Sequence, residues 1–476
     1  MIDTLISGFH LTGNKILKGQ YMAVIKANYS LLILLLTLFG CTVILPQSEP
    51  DSIINLTLGD AVKIALENNR DIQLAKLDLK KADEQINEAY ADVWPSINAV
   101  GEYNRNIKSP VLFIPPNTPF NPSSQTMTFS LGAKNSYNVR ATLNQTIFSA
   151  KVNTAIKIAN DYYDYFKYSA ESTEDEIIFQ VKQAFYAVLL TKELINVSQK
   201  GYDVAKVNYE NVRHQYEQGV SSEYDFLRAE VQLANVDPFR IQAKNNFEMA
   251  KNGLKNLLSI KLDKEINVIG KFELEPLDNE LLKESENLLF ENNPMLTALD
   301  LQVSVMDKVI SLERAGYFPV LSGFANYQWQ TQDNTFDFSK YLWANTITVG
   351  LSLSLPVFDG FRRNARIDQA IIDKDKLQLN KLKVEEGLKI QLVQAQLKMK
   401  EAEERVLAQV KSLKQAERTV EIAQSRYKNG IGTQLEILDT QSSLTMVQTN
   451  YSQAIYDYLI AKAQWEKLIG NSKREG

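Results

Sequence analysis

The feature that most constrains this 476-residue chain is an internal duplication. Glu67-Asn68-Asn69 recurs 224 positions later as Glu291-Asn292-Asn293, and residues 216–220 are matched by residues 427–431 at an offset of 211. Solenoid repeats have periods of roughly 20–50 residues, so this period is far too long for one. The sequence instead predicts two copies of a whole unit, each made of a helix, two strands and two longer helices.

Composition and charge argue against several classes of function. The net charge is −5, and there is no basic run that would indicate a nucleic-acid partner. Two histidines and one cysteine are too few for a zinc or copper cluster built by the protein alone. A single cysteine also excludes a disulfide within the chain.

The first forty residues are predicted to be a targeting segment. Residues 31–39 are apolar apart from Thr37 and follow Lys26, but they are too few for a transmembrane helix, which needs about 20 apolar residues. The only cysteine, Cys41, comes directly afterwards and resembles the acylated residue of a bacterial lipobox. Lipoprotein processing at Cys41 and ordinary signal-peptide cleavage both fit this pattern, and translation starts at Met1 or Met22.

Each repeat contains two segments with the two-residue period of a β-strand. In residues 347–357 the apolar side chains share one face and small polar side chains share the other. Residues 139–147 repeat the pattern, with Arg140 on a polar face that would line water. The upstream segments 96–104 and 320–330 alternate more weakly. The pattern is typical of transmembrane barrel strands, and a soluble antiparallel sheet with one wet face would also show it.

Four strands cannot close a barrel, and open sheet edges are not tolerated in lipid. Membrane strands would therefore require an oligomer. Two copies would give an eight-strand barrel filled by its own side chains, whereas three copies would give twelve strands and leave a conduit. Four aromatic residues are predicted to lie at the membrane interfaces. They are Trp94, Phe318, Tyr327 and Trp329.

The loop that joins the two strands is 14 residues longer in the first repeat than in the second. Its additional residues include Pro110, Pro115, Pro116, Pro119 and Pro122. Irregular, proline-rich sequence of this kind predicts an exposed surface loop.

A long stretch without proline follows each strand pair, at about residues 150–218 and 360–429. At 1.5 Å per residue each would form a helix of ~100 Å, with Ser149 and Asp359 as expected N-caps. Both stretches alternate large and small residues at heptad spacing, which allows close helix packing and would also fit a plain coiled-coil stalk. Pro238 lies inside the first returning helix, where it should kink or interrupt it.

Each long helix is predicted to end in a glycine-containing turn, which makes the tip of a helical hairpin. The turns are Gln218-Gly219-Val220-Ser221 and Asn429-Gly430-Ile431-Gly432-Thr433. Both tips would lie far from the strands.

Together these features resemble the TolC-like outer-membrane efflux protein family over roughly residues 56–470. Three motifs are shared with it: a first helix ending in Trp94-Pro95 or Phe318-Pro319, the sequence Leu355-Pro356-Val357-Phe358-Asp359-Gly360-Phe361-Arg362-Arg363, and the tip Tyr427-x-x-Gly430-Ile431-x-Thr433-x-Leu435-Glu436-Ile437-Leu438-Asp439. The resemblance implies a mainly α protein with a small β part. Three copies would form a twelve-strand β-barrel in the outer membrane, continued by an α-helical tunnel through the periplasm.

The resemblance also implies a passive function and a set of partners. The homotrimer would be the exit channel of a tripartite efflux or type I secretion system. A periplasmic adaptor would connect it to an inner-membrane pump of the RND, ABC or MFS type, and its barrel would contact outer-membrane lipid. No catalysis, cofactor, metal or nucleic acid is implied, and the cargo is left open. The alternative is a structural coiled-coil outer-membrane lipoprotein without channel activity.

The resemblance places a gate at the periplasmic entrance. Glu436 and Asp439 share one helix face and align with acidic positions that ring the entrance in family members, where such a ring attracts cations. Asp225 and Arg228 are their equivalents in the first repeat, and we expect them to pair with the acidic helix and hold the tip closed. Tyr427 belongs to the same group. The simpler interpretation is that the acidic residues are solvated.

Six tip residues are candidates for adaptor contact, with plain helix capping as the simpler role. They are Gly219, Val220, Ser221, Gly430, Ile431 and Thr433.

The expected organisation has five parts. They are a signal segment (1–40), a linker (41–55), the first repeat (56–275, strands about 96–106 and 137–148, tip near 219), the second repeat (276–470, strands about 320–331 and 345–357, tip near 430) and a C-terminal tail (471–476).

Overall fold

The duplication is visible in the order of the elements in a computed structural model, which describes residues 53–274 and 279–472. The first repeat contains β1 (Ile54–Leu56), α1 (Leu58–Asn68), α2 (Arg70–Ala91), β2 (Ser96–Arg105), β3 (Val111–Ile114), β4 (Met127–Ser130), β5 (Asn135–Phe148), α3 (Ala150–Glu217), α4 (Glu223–Leu257) and β6 (Ile266–Val268). The second contains α5 (Asn279–Asn292), α6 (Pro294–Ala315), β7 (Val320–Asp333), β8 (Ala344–Ser354), α7 (Arg362–Lys428) and α8 (Gln434–Leu468). The signal segment, Cys41 and most of the linker lie outside the described residues.

The leading helix of each repeat is divided in two by one asparagine, where the sequence had suggested a single helix. The side chain of Asn69 accepts hydrogen bonds from the backbone N–H groups of Asp71 and Ile72, so it caps the start of α2. Asn293 does the same for Met295 and Leu296 at the start of α6. An asparagine cap satisfies N–H groups that the first helical turn leaves free, which explains why the Asn-Asn sequence is repeated.

Four antiparallel strands form one sheet in the order β2-β5-β7-β8, with β2 and β8 as its open edges. Val139 lies opposite Trp329, and Tyr327 lies opposite both Ala141 and Ile347, so these side chains share one face. β8 ends at Ser354, and residues 355–357, which were expected in this strand, follow it. A parallel pair, β1 and β6, lies outside this sheet and was not predicted.

The proline-rich loop of the first repeat is more regular than expected. β3 and β4 pair antiparallel within it, with Leu112 opposite Phe129. Prolines 110 and 115 stand immediately outside β3, where a missing N–H interrupts no ladder bond. Between them, the β-forming residues Val111–Ile114 have room for one short strand.

The two long helices span 68 residues in α3 and 67 in α7, which corresponds to ~100 Å each. α4 runs through Pro238 without interruption.

Ser149 caps α3 as predicted, because its hydroxyl accepts from the N–H of Val152. The prediction for Asp359 was wrong: the N-cap position of α7 is Phe361, with φ 61°, and its side chain makes no cap bond.

Asp359 instead forms an ion pair with Arg363, at 2.8 Å between the carboxylate and Nε. The same guanidinium donates to the carbonyl oxygens of Gly316, at 2.6 Å, and Pro356, at 3.4 Å, and lies 4.7 Å from the ring centre of Tyr317. Arg363 therefore joins the end of α6, the exit of β8 and the start of α7. The N-cap lies two residues later than predicted, because the chain passes through two residues in the left-handed conformation, Gly360 and Phe361, before α7 begins.

A buried hydrophobic core brings together residues of α1, α3, α7 and α8. Phe185, Tyr458 and Trp465 are almost fully buried there, and the indole N–H of Trp465 donates to the Ser285 hydroxyl at 2.8 Å. Further along α7, heptad positions such as Met399 are buried against α8. The long helices thus pack through the large–small alternation seen in the sequence.

Candidate gate and membrane conduit

The tip of the second hairpin is a tight glycine turn between α7 and α8. Gly430 has φ 75°, in the left-handed region, and the N–H groups of Ile431 and Gly432 both donate to the Arg426 carbonyl at 3.0 Å. A Cβ added at Gly432 would lie 2.8 Å from the backbone nitrogen of Tyr427. A larger residue at position 432 would not fit, so glycine is required there. The sequence analysis had chosen only its neighbours as candidates for adaptor contact.

Arg426 also forms an ion pair with the predicted gate residue Glu436. Its Nε lies 3.3 Å from the Glu436 carboxylate, and its Nη2 donates to the Ile431 carbonyl at 3.2 Å. Thr433 caps α8 by accepting from the Glu436 N–H, and Asp439 lies one turn further along, exposed. Sequence reasoning missed Arg426. The available signal was a basic residue and an acidic residue placed on the two sides of a predicted turn.

The tip of the first hairpin is capped by Ser222. Its hydroxyl accepts from the N–H of Asp225 at 3.1 Å and donates to the Asp225 carboxylate at 2.7 Å. The rings of Tyr216 and Phe226 stack in parallel at 5.2 Å, which ties α3 to α4 beside the turn. Val220 projects from this turn and is 75% exposed. Asp225 thus has a capping role in its own helix.

The two hairpins of one chain meet at Tyr427. Its hydroxyl donates to the side-chain oxygen of Gln215 on α3, at 3.4 Å. Burial raises the pKa of the Tyr427 phenol, and the nearby negative charge of Asp225 raises it further. The structure therefore brings Tyr427 and Asp225 together. The sequence analysis had assigned both residues to the predicted gate. Among the described residues of one chain, Arg228 makes no ion pair with Glu436 or Asp439.

The remaining candidates for adaptor contact lie in the two turns. Gly219 and Gly430 both adopt left-handed conformations, with nothing near enough to contact an added Cβ. Ile431 is 68% exposed. These turn residues shape the tips and leave two apolar side chains, Val220 and Ile431, in contact with solvent.

The sheet has one apolar face and one polar face. Ile347, Val349, Leu351 and Leu353 of β8 are each at least 70% exposed within one chain. The opposite face is polar, and the Thr142 hydroxyl donates there to the Asn326 side chain at 2.8 Å. This division is the one that separates lipid from water in a membrane barrel.

Aromatic side chains lie at both ends of the sheet. Trp94 and Phe318 are exposed directly after α2 and α6, and Tyr327 and Trp329 lie on the apolar face. At the end away from the helices, Tyr103 stacks on Tyr137 at 4.8 Å. Three residues of the β7–β8 loop contact this pair. They are Phe336, Phe338 and Tyr341.

No helix within residues 53–274 and 279–472 combines the length and apolar character needed to cross a membrane. In the same part of the chain, no group of three or more His, Cys, Asp or Glu side chains is placed to hold a metal ion.

Comparison with known proteins identifies the family. The sequence profile of a family described as outer membrane efflux protein matches residues 61–259 and 287–471, which is most of both repeats. The chain belongs to the outer membrane efflux protein family. This confirms the resemblance seen in the sequence and assigns the protein to the outer membrane.

Relatives share low identity over long alignments. The chain is 23% identical over 398 residues to the probable efflux pump outer membrane protein TtgC of Pseudomonas putida, covering 82% of this chain and 78% of TtgC. It is 23% identical over 303 residues to the alkaline protease secretion protein AprF of Pseudomonas aeruginosa, covering 62% of this chain. The match spans only 61% of AprF, less than two thirds of that protein.

Solved structures show the same fold. The Campylobacter jejuni CmeC outer membrane channel superimposes with a TM-score of 0.71 at 18% identity, covering 87% of this chain and 86% of CmeC. The open-state MtrE outer membrane channel of Neisseria gonorrhoeae gives 0.68 at 18% identity, with 88% and 90% covered. With the family match, this favours the predicted channel over the coiled-coil lipoprotein.

Proposed function

We propose that three copies of this chain form a passive export duct, with one twelve-strand barrel in the outer membrane and one helical tunnel in the periplasm. The observation that carries the proposal is the four-stranded sheet, which has an apolar face and two open edges, β2 and β8. Unpaired strand edges are costly in lipid, and joining β8 of one copy to β2 of the next would remove all of them. Twelve strands would enclose a water-filled conduit.

The oligomer can be tested by native mass spectrometry of the detergent-solubilised protein together with heat-modifiable gel migration. We expect three copies per particle, and faster migration before boiling than after it. A monomer with no heat-dependent migration would contradict the barrel.

The entrance gate lies at the helical tips. In this proposal Asp439 and Glu436 of each copy face the narrow periplasmic opening, while Arg426 offsets part of the charge of Glu436. Arg228 of one copy pairs with the acidic helix of a neighbouring copy, which agrees with its lack of such a partner within one chain. The charge that attracts cations then comes mainly from Asp439.

Ion selectivity tests this gate. The double variant Glu436→Gln/Asp439→Asn should lose the preference for cations in planar bilayers, because a ring of carboxylates favours cations. The matched control is Glu403→Gln/Glu404→Gln, which removes two carboxylates from the middle of α7. Equal loss of selectivity in both variants would move the selectivity site away from the tips.

The tips are also the proposed docking site for a periplasmic adaptor, which would connect the duct to an inner-membrane pump of the RND, ABC or MFS type. Exposed Val220 and Ile431 support this contact, because apolar side chains at a turn contribute little to the hairpin itself. Photo-crosslinkers at positions 220 and 431 should capture the adaptor, and crosslinkers at position 407 on the side of α7 should not. Capture only from the helix side would contradict tip docking.

The proposed duct needs no catalytic step, because substrates enter and leave unchanged. Related proteins are named for an efflux pump, a cation efflux system and alkaline protease secretion, so the family name does not define one cargo.

A further inference from the structure

The first repeat carries an outer ribbon, residues 105–135, that has no counterpart in the second. It contains β3 and β4 and extends β2 and β5 at the end away from the helices. The ladder continues into it, because the Asn106 N–H donates to the Lys134 carbonyl and the Leu131 N–H donates to the Pro110 carbonyl, both at 2.8 Å. The outer ribbon is therefore a prolongation of two membrane strands.

One face of the outer ribbon is apolar on both strands, whereas the other face combines Val111 and Phe113 of β3 with Thr128 and Ser130 of β4. The apolar face is formed by Leu112, Ile114, Met127 and Phe129, which lie opposite one another in pairs. From 127 to 143, every second residue is apolar or aromatic except Asn135, and the residues between them are polar or glycine. The apolar face of the ribbon thus follows the same alternation as the membrane-facing side chains of β5.

This face is uncovered although the ribbon itself is well organised. Leu112 and Met127 are about half exposed and Phe129 is 59% exposed. In contrast, the Asn121 side chain is fully buried in the turn and donates to the carbonyl oxygens of Ile114, at 3.0 Å, and Gln125, at 2.8 Å. The shape of the ribbon is set by its own hydrogen bonds, and its apolar face is free to contact a partner.

The charge of the outer ribbon is entirely positive. Residues 103–160 contain no aspartate or glutamate, in a chain that has 57 of them. Arg105, Lys108 and Lys134 lie at the base of the ribbon, and all three are exposed. Asp333 of β7 lies opposite Asn135, beside the base of the ribbon, but the ribbon itself carries only positive charge. Exposed basic residues of this kind are attracted to anionic membrane surfaces.

We propose that the outer ribbon lies on the outer leaflet of the membrane, with its apolar face among the acyl chains and its three basic side chains against lipid phosphate groups. The inference rests on the proposed barrel, which places the ribbon at the outer surface. Continuity with the membrane-facing side of β5 favours lipid over the ribbon of a second copy. An apolar face beside basic residues is the arrangement of proteins that bind in the membrane interface.

Two tryptophan variants on opposite faces test the apolar contact. Phe129→Trp places an indole on the apolar face, and Phe113→Trp places one on the other face, where Phe113 is opposite Thr128 and 64% exposed. Both are aromatic replacements in one ribbon, against the same four native tryptophans. In bilayers of phosphatidylglycerol with brominated acyl chains, the added indole at 129 should lose most of its emission, and that at 113 should keep it.

Equal quenching at both positions would overturn the proposal. A blue-shifted indole at 129 that is not quenched would overturn it too, because that result means protein covers the face. Lys108→Gln/Lys134→Gln, introduced with Phe129→Trp, should reduce quenching in phosphatidylglycerol to the level seen in phosphatidylcholine. Lys271→Gln, at an exposed lysine between β6 and α5, is the control, and an unchanged result in the ribbon variant would overturn the phosphate contact.

A second measurement distinguishes failure of the proposed barrel from failure of the ribbon inference. Native Trp329 lies on the apolar face of the sheet, so brominated lipid should quench it in the unmodified protein. If Trp329 is quenched and the protein conducts ions while position 129 is not quenched, only the ribbon inference fails. If neither quenching nor conductance is observed, the proposed barrel fails with it.

Discussion

The side-chain amide of Asn293 donates a hydrogen bond to the carbonyl oxygen of Leu468, 3.0 Å away. The same bond joins Asn69 to Leu257 in the first repeat, at 2.9 Å. Each asparagine thus caps one helix with its oxygen and binds the last turn of a returning helix with its nitrogen. This bond also satisfies a carbonyl group that the end of a helix leaves free.

Replacing Asn293 with alanine should lower the free energy of unfolding by about 1–3 kcal/mol, because the buried carbonyl of Leu468 loses its donor and α6 loses its cap. Thermal unfolding followed by circular dichroism in detergent measures the change. The neighbouring variant Asn292→Ala is the control, since Asn292 is exposed. Equal effects of the two variants would show that the Asn293 bonds contribute nothing specific.

A buried ion pair joins α3 to α8. Lys182 lies 2.6 Å from Glu466, and both side chains are about 5% exposed. Lys182→Met should lower stability by up to about 3–5 kcal/mol, because the buried Glu466 carboxylate loses its nearest cation and keeps the longer contact to Lys462, at 3.8 Å. The double variant Lys182→Met/Glu466→Leu should recover part of that loss, because it removes the buried carboxylate but also takes one partner from the buried Lys462.

The control for Lys182 is Lys271→Met, which breaks an exposed pair with Glu273 and should change stability by less than ~1 kcal/mol. Chemical unfolding in detergent compares the variants. A double variant as unstable as the single one would show that the loss did not come from separating the Glu466 carboxylate from Lys182.

The pair of Glu176 and Lys467 predicts a pH dependence. Burial alone would raise the pKa of Glu176, but hydrogen bonds from Lys467 and Gln180 outweigh it and leave the pKa below its ordinary value of 4.5. A lowered pKa means that the pair stabilises the fold above this value and loses its effect as the pH falls through the pKa of the folded state. Lys467→Gln should therefore lower the unfolding temperature at neutral pH, and the difference should shrink in acid.

The unfolding temperatures of the parent and Lys467→Gln, measured across an acid titration, check this sign. Lys376→Gln breaks an exposed pair with Asp373 and should show a smaller difference at every pH. A difference between parent and Lys467→Gln that grows in acid would contradict the assignment.

Gly432 is predicted to be irreplaceable at the second tip. An added Cβ would crowd the Tyr427 nitrogen, so Gly432→Ala should displace the turn and weaken the Arg426–Glu436 pair. Gly387, in the middle of α7, has open space, and Gly387→Ala should stabilise the protein by about 0.5–1 kcal/mol. Protection from hydrogen exchange at residues 426–436 should fall only in the first variant, and unchanged protection there would contradict the crowding.

Much of the architecture was predictable, because the spacing of apolar residues along the sequence shows which face of a helix or strand is apolar. The alternation in β8 and the heptads in α7 both follow from which side chains must be covered. The tip turns were visible through their glycines, since Gly219 and Gly430 adopt conformations that other residues avoid.

The contacts between elements were not predictable in the same way. The pairing of Arg426 with Glu436 and the bond from Tyr427 to Gln215 depend on how the hairpins pack, which local sequence does not specify. Local rules favoured Asp359 as a cap, but the turn at Gly360 and Phe361 placed the start of α7 further along. Phe361, at φ 61°, occupies a position where glycine would be unstrained.

The central claim is that the chain forms a conduit held closed at its helical tips. Single-channel conductance in planar bilayers tests it most directly, by comparing the parent with Arg426→Gln/Tyr427→Phe. The variant removes the ion pair to Glu436 and the bond to Gln215, so small parent currents should become larger. Equal currents would contradict the gate, and no current from folded trimers of either protein would contradict the conduit.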